Sequence, residues 1–114
     1  TDLYNAVSVI NLIPIGGENL DAYQGSARLV VADGAEHFDT RENGEVVNAS
    51  PEPGEIIWRD DHGVTCRRWN WRQCVRTQLT DHTTNAVFIF DGAGPDARER
   101  AQAAADQLSE YMQA

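Results

Sequence analysis

The chain has 114 residues, of which 41% are hydrophobic and 24% charged. This composition fits one domain with a core and excludes collagen, a coiled coil and wholesale disorder. Eighteen acidic residues against nine arginines give a net charge of −9, which argues against non-specific nucleic-acid binding. No apolar run reaches the roughly 20 residues of a membrane span, so a cytoplasmic protein without a membrane partner is expected.

The first third of the chain predicts a helix and a strand. Apolar residues at helical spacing predict a helix over residues 2–13, with Asp2 as its cap. Pro14 ends this helix, and Gly16-Gly17 is expected to supply positive φ angles at a turn. The apolar residues over 26–33 predict a strand.

The middle of the chain predicts two short strands joined by a tight turn. Residues 36–47 are expected to be irregular apart from a turn at Asn43-Gly44 and a short strand after it. The strands are predicted over 55–59 and 64–69, with the turn at 61–63.

The last third predicts a strand and a long helix. Residues 85–90 form the most apolar run and indicate a buried central strand. Residues 96–113 predict a helix whose apolar stripe includes Leu108 and Met112. The order of elements favours an α+β fold, with a mixed, mostly antiparallel sheet flanked by an N-terminal and a C-terminal helix. A single domain over residues 1–114 is expected.

Basic charge is concentrated in one stretch of the sequence. Residues 59–76 hold five arginines and two aspartates, a local charge of +3 that leaves −12 for the rest. Arginine binds phosphate or carboxylate and stacks on aromatic rings, and tryptophan stacks on bases. Interleaved Arg and Trp therefore suggest a site for a nucleotide or an amino acid. The candidate ligand-binding residues are Arg67, Arg68, Trp69, Asn70, Trp71 and Arg72.

The same stretch also fits a purely structural interpretation. On a strand, Trp69 and Trp71 would alternate onto one face and pack in the core. Arg68 and Arg72 would then pair with acidic neighbours. The candidate partners are Asp60, Asp61 and Glu55.

The two cysteines, Cys66 and Cys74, are too few for a disulfide framework or a zinc site. One of them, with His62 or His82, would form a nucleophile–base pair if the fold brought them together. The histidines lack metal-binding spacing, so neither a metal nor a cofactor is predicted.

Three stretches, Pro14–Asp21, Gly54–Trp58 and Cys66–Gln73, together resemble a known family. They are similar to stand-alone proteins related to the B3/B4 domain, the tRNA-editing module of the phenylalanyl-tRNA synthetase beta chain. The most specific stretch is Arg-Arg-Trp-Asn-Trp-Arg-Gln, and the resemblance covers residues 2 to about 94. It implies an α+β domain with a pocket, which in the synthetase hydrolyses tyrosine wrongly attached to its tRNA. Family members are expected to be longer, which makes this chain a C-terminal portion and implies a missing N-terminal segment or second chain as a partner.

The resemblance also implies departures from the synthetase pocket. The pocket histidine of the synthetase falls on Gly16, and its pocket glutamate falls near Gln73 or Cys74. These changes remove an imidazole and a carboxylate that would orient or activate water. Thr83 and Thr84 remain at the start of the core strand and would position a hydroxyl or a water. The candidate catalytic residues are Cys66, Gln73, Cys74 and Thr84.

Three functions follow as hypotheses. The first is a binding module for tRNA or aminoacyl-tRNA, with or without deacylation. The alternative is an enzyme acting on an amino-acid-like small molecule, in which Arg68 would hold a carboxylate and Asn70 and Gln73 would contact polar groups. The third is a structural half of a larger protein, without a site of its own.

Overall fold

The computed structural model describes residues 1–113, which form two compact units. The first unit comprises Thr1–Gly17 and the chain from Val87 onward, and the second is Glu18–Ala86. In chain order the elements are α1 (Asp2–Asn11), β1 (Ile15–Asn19), a short 3-10 helix (Leu20–Ala22), β2 (Arg28–Val31), β3 (Asp39–Glu42), β4 (Glu45–Asn48), β5 (Ile56–Arg59), β6 (Val64–Arg67), β7 (Arg72–Gln73), β8 (Ala86–Phe90) and α2 (Ala97–Gln113).

The first unit is built on the packing of α1 against α2. A bond of 2.6 Å from Asn11 Nδ2 to Gln107 Oε1 joins the two helices, and the rings of Tyr4 and Phe88 lie 5.7 Å apart. The buried core of this unit consists of Val7, Ile13, Ala104 and Leu108. None of the helices within residues 1–113 is both long and apolar enough to cross a bilayer.

The start of the chain departs from the predicted boundaries. Helix α1 ends at Asn11 because Leu12 adopts a left-handed conformation, with φ 52°. Thr1 occupies the cap position and Asp2 is the first helical residue, so the prediction of an Asp2 cap was wrong. Gly16 and Gly17 lie inside β1 and neither has a positive φ, so the predicted glycine turn was also wrong.

The second unit contains a four-stranded sheet in the order β2-β5-β6-β7, with antiparallel pairing throughout. The tight turn predicted at residues 61–63 joins β5 to β6. The region expected to be irregular is instead a hairpin of β3 and β4, whose turn at Asn43 (φ 51°) and Gly44 (φ 83°) matches the prediction. The core of this unit is formed by Ala32, Phe38, Ile57, Val64 and Cys74.

The predicted α+β class is confirmed by the two helices and the mostly antiparallel pairing. The strands form three separate sheets within residues 1–113, however, since β8 pairs with β1 alone. All five residues of β8 are half-buried and its one partner strand within residues 1–113 is β1, so the prediction of a buried central strand was wrong. The apolar side chains of Phe88 and Phe90 pack against the core residues of the two helices.

Met112 was predicted on the apolar stripe of α2, but it is 55% exposed.

Candidate functional site

A tight turn between β6 and β7 carries the densest group of candidate residues. Strand β6 ends at Arg67, and β7 begins at Arg72, directly opposite it. Between them Arg68 (φ 48°) and Trp69 (φ 65°) are both left-handed, a conformation rare outside glycine. Bonds from Trp71 N–H to the Arg67 carbonyl (3.0 Å) and from Trp69 N–H to the Ile56 carbonyl (3.2 Å) hold this backbone. Residues 67–72 are called the Arg–Trp turn below.

The indole of Trp71 is the centre of this turn. The guanidinium carbons of Arg68, Arg72 and Arg67 lie 4.5, 4.7 and 5.5 Å from its ring centroid. These distances fit cation–π contacts, which attract each guanidinium to the indole. Trp71 therefore groups three guanidiniums around one half-exposed indole, and two of them, those of Arg68 and Arg72, lie at the protein surface.

Arg67 is the buried member of the three arginines. Its Nε and Nη2 donate to the two carboxylate oxygens of Glu55 at 2.8 and 2.7 Å, and its Nη1 donates to the Ala49 carbonyl at 3.3 Å. These bonds lower the pKa of the Glu55 carboxyl and raise the pKa of Arg67. The guanidinium also lies 5.6 Å from the Phe38 ring centroid. Arg67 thus fixes the turn to the second unit's core.

Arg68 and Arg72 are the exposed members. Arg68 Nε lies 3.3 Å from Glu55 Oε1, but its side chain remains 55% exposed. Arg72 is exposed, and within residues 1–113 it has no carboxylate at ion-pair distance. Because Glu55 supplies one negative charge to Arg67 and Arg68, and Arg72 has no such partner, the turn presents surplus positive charge on an acidic protein.

The structure brings together all six candidate ligand-binding residues, since they are consecutive in this turn. The interpretation that the tryptophans pack in the core is wrong, because β6 ends at Arg67 and the chain turns outward. Trp69 and Trp71 are about half-exposed as a result.

Only one of the two arginines predicted to pair with an acidic neighbour does so. Arg68 does contact Glu55, whereas Arg72 stacks on Trp71 instead. Asp60 pairs with Arg76 at 2.8 Å. The remaining candidate, Asp61, pairs with Arg28.

The candidate catalytic residues lie in different surroundings. Burial raises the pKa of the Cys74 thiol, which disfavours the thiolate form that a nucleophile needs. Cys66 is also buried, within β6, and Gln73 is half-buried in β7. Thr84 is exposed in the loop before β8.

The two histidines proposed as bases have other neighbours. The ring of His62 meets that of His37 edge to face at 5.7 Å. His82 Nε2 lies 3.6 Å from Asp81 Oδ1, and both side chains are almost fully exposed. Within residues 1–113 no three His, Cys, Asp or Glu side chains converge as metal ligands.

A buried polar group in the second unit was missed by the sequence interpretation. The Thr77 hydroxyl donates to Glu18 Oε1 at 2.9 Å and the Tyr23 hydroxyl donates to Glu18 Oε2. Cys74 Sγ lies 3.1 Å from Thr77 Oγ1. Glu18, Tyr23, Cys74 and Thr77 are called the Glu18 network below. Its contacts join residues up to 59 positions apart, so no local sequence pattern reveals them.

Burial raises the pKa of the Glu18 carboxyl despite the two hydroxyl donors. The folded state therefore holds this proton more tightly than the unfolded state, and its contribution to stability falls as pH rises above the unfolded pKa of about 4.3. Glu18→Gln removes the titration, so the free energy of unfolding of the variant relative to the wild type is expected to rise between pH 4 and pH 7. Urea unfolding at several pH values measures this difference.

An exposed carboxylate provides the control for this prediction. Glu45→Gln in the β3–β4 hairpin is expected to change the free energy of unfolding by less than about 0.5 kcal/mol at each pH. Parallel curves for Glu18→Gln and the wild type would contradict the role assigned to Glu18.

Comparison with known proteins gives one match. A family model described as the B3/4 domain matches residues 1–113. No curated protein and no solved structure matches the chain significantly. The matched range contains the whole Arg–Trp turn and the Glu18 network, and it confirms the family-level resemblance seen in the sequence.

Proposed function

The chain belongs to the B3/4 domain family, and from this premise we propose that it binds tRNA or aminoacyl-tRNA through the Arg–Trp turn. The family is that of the phenylalanyl-tRNA synthetase-like modules, a class associated with nucleic-acid binding. The observation that carries the proposal is the grouping of three guanidiniums around Trp71 at an exposed turn. Such a surface offers RNA both phosphate contacts and an aromatic ring.

The roles within the turn follow from burial and hydrogen bonding. Arg67 donates its hydrogen bonds to the Glu55 carboxylate and the Ala49 carbonyl, so its role is to support the turn. Arg68 and Arg72 are exposed and would contact phosphates, and Asn70, exposed at the tip, would contact a base or sugar edge. The acidic remainder of the chain would repel RNA elsewhere and confine binding to this turn.

The proposed function is binding alone, because no candidate catalytic residue is placed to act at the Arg–Trp turn. Cys66 and Cys74 are buried, and Thr84 is exposed in a different loop. None of the four candidate catalytic residues therefore presents an exposed nucleophile at the Arg–Trp turn.

Arg72→Ala is expected to weaken binding of deacylated tRNA because it removes a phosphate contact. The slope of log affinity against log salt should become shallower by about 0.7 to 0.9. Fluorescence anisotropy with labelled tRNA at several salt concentrations measures both quantities.

Arg41→Ala is the charge-matched control, since Arg41 is exposed in β3 outside the turn. It should leave the salt dependence unchanged. Equal effects of the two substitutions would mean that binding follows net charge and does not use the turn. An excess of free phenylalanine or tyrosine that displaces the tRNA would instead favour an amino-acid-like ligand at this site.

A further inference from the structure

The two tryptophans of the Arg–Trp turn have different surroundings. Trp71 is surrounded by guanidiniums, two of them within 4.7 Å of its ring centroid. Trp69 has a 53% exposed side chain and, within residues 1–113, neither an aromatic ring nor a guanidinium stacked on it. The indole of Trp69 is therefore the one in this turn whose face is open to a ligand.

The backbone holds Trp69 in that exposed position. Its φ of 65° follows the left-handed φ of 48° at Arg68, and both conformations are unfavourable for bulky side chains. The bond from Trp69 N–H to the Ile56 carbonyl ties this strained pair to the first residue of β5. Strain retained in an exposed turn is typical of a binding element whose side chains are oriented in advance.

We propose that Trp69 stacks on one unpaired base of a single-stranded RNA segment, and that Trp71 is a positioning residue which aligns Arg68 and Arg72 on the adjacent phosphates. This inference rests on the proposed function and specifies its substrate class. An exposed indole stacks on a base only where that base is not already covered on both faces, as it is inside a duplex. A single-stranded loop or a free 3′ end meets this requirement.

The arrangement of charge supports the same division of roles. Arg68 and Arg72 lie 4.5 and 4.7 Å from the Trp71 centroid, and both are exposed in the same turn as Trp69. Sugar–phosphate contacts from this pair would not depend on the identity of the base. Stacking on Trp69 would require a base to be present but would tolerate any of the four.

The test compares two RNA probes of equal length and charge. One is a labelled single-stranded oligonucleotide, and the other is the same backbone with its bases removed. Wild-type protein is expected to bind the first more tightly, by roughly five- to 150-fold, the range measured for loss of one base–aromatic stack. Trp69→Leu should bind both probes with similar affinity, and Trp69→Phe should restore part of the preference.

Trp71→Leu is the matched control. It is expected to weaken binding of both probes to the same extent, because it disturbs Arg68 and Arg72 and leaves Trp69 in place. Circular dichroism and thermal unfolding check that each variant is folded.

The outcomes separate this inference from the proposed function. If the wild type binds neither probe nor tRNA, the proposed function fails. If the wild type binds RNA but Trp69→Leu keeps the base preference, or Trp71→Leu loses it, the assignment of the two tryptophans is overturned. Equal wild-type affinity for the two probes would overturn the stacking inference while leaving the proposed RNA-binding function standing.

Discussion

Replacing Asp60 with asparagine is expected to lower the free energy of unfolding by about 3–5 kcal/mol, the cost of breaking a buried ion pair. Asp60 is fully buried and accepts hydrogen bonds from both terminal nitrogens of Arg76, at 2.8 and 2.9 Å. It also accepts from the backbone N–H groups of Gln24, His62 and Gly63. An amide accepts through one oxygen only and leaves the Arg76 charge without its partner.

The neighbouring Asp61 is the control for this substitution. Its side chain is 65% exposed and its partner, Arg28, is also exposed, so Asp61→Asn should cost less than about 1 kcal/mol. Chemical denaturation of both variants supplies the comparison. A similar small loss at both positions would contradict the structural role of Asp60.

The lowered pKa of Asp60 means that part of the free energy of unfolding should be lost in acid. Burial alone would raise its pKa, but the hydrogen bonds from Arg76, Gln24 and Gly63 lower the pKa of Asp60 to about 2. The unfolded pKa is about 3.9, so this stabilisation is complete only above about pH 5 and is lost as pH falls through 2, by about 2–3 kcal/mol in all. The difference between wild type and Asp60→Asn should shrink over that interval.

Replacing Arg67 with methionine is expected to cost a similar amount, about 3–5 kcal/mol, because Glu55 would lose its principal partner while buried. The side chains of Arg67 and Glu55 are only 10% and 7% exposed. The substitution also removes the contacts with the rings of Phe38 and Trp71.

The double substitution Arg67→Met with Glu55→Met makes this prediction specific. Removing both charges leaves no buried charge without its partner, so the double variant should regain most of the stability lost by Arg67→Met. Arg68→Met is the single-site control. It should lower the free energy of unfolding only slightly, because the Arg68 side chain is 55% exposed. A double variant no more stable than Arg67→Met would show that the unpaired Glu55 charge is not the source of the loss.

These two ion pairs connect the core to the proposed site. Arg67 anchors one end of the Arg–Trp turn through Glu55, and Arg76 ties the chain just beyond β7 to Asp60. The exposed pair Arg68 and Arg72 therefore projects from a segment that is fixed on both sides. Such support limits the entropy lost when a flexible side chain binds a ligand.

Local patterns predicted most of the secondary structure. Asn43-Gly44 and residues 61–63 form the turns that their residue types favour, and α2 spans nearly the residues indicated by its periodicity. The six candidate ligand-binding residues come together because they are consecutive. Their clustering did not depend on the tertiary structure.

Tertiary contacts determined what the sequence left open. The alternation of Trp69 and Trp71 suggests a strand face that buries both tryptophans, but β6 ends at Arg67 and the backbone is left-handed at the next two residues. Arg67 reaches Glu55 across the β5–β6 pairing, 12 positions away. The Glu18 network joins segments still further apart, and no local pattern indicates contacts over such separations.

The most direct test of the RNA-binding proposal is the salt dependence of binding to a single-stranded oligonucleotide by the wild-type chain. Two phosphate contacts, from Arg68 and Arg72, predict a slope of log affinity against log salt of about −1.4. Binding that does not change with salt, or no binding at the lowest salt concentration, would contradict the function proposed for the Arg–Trp turn.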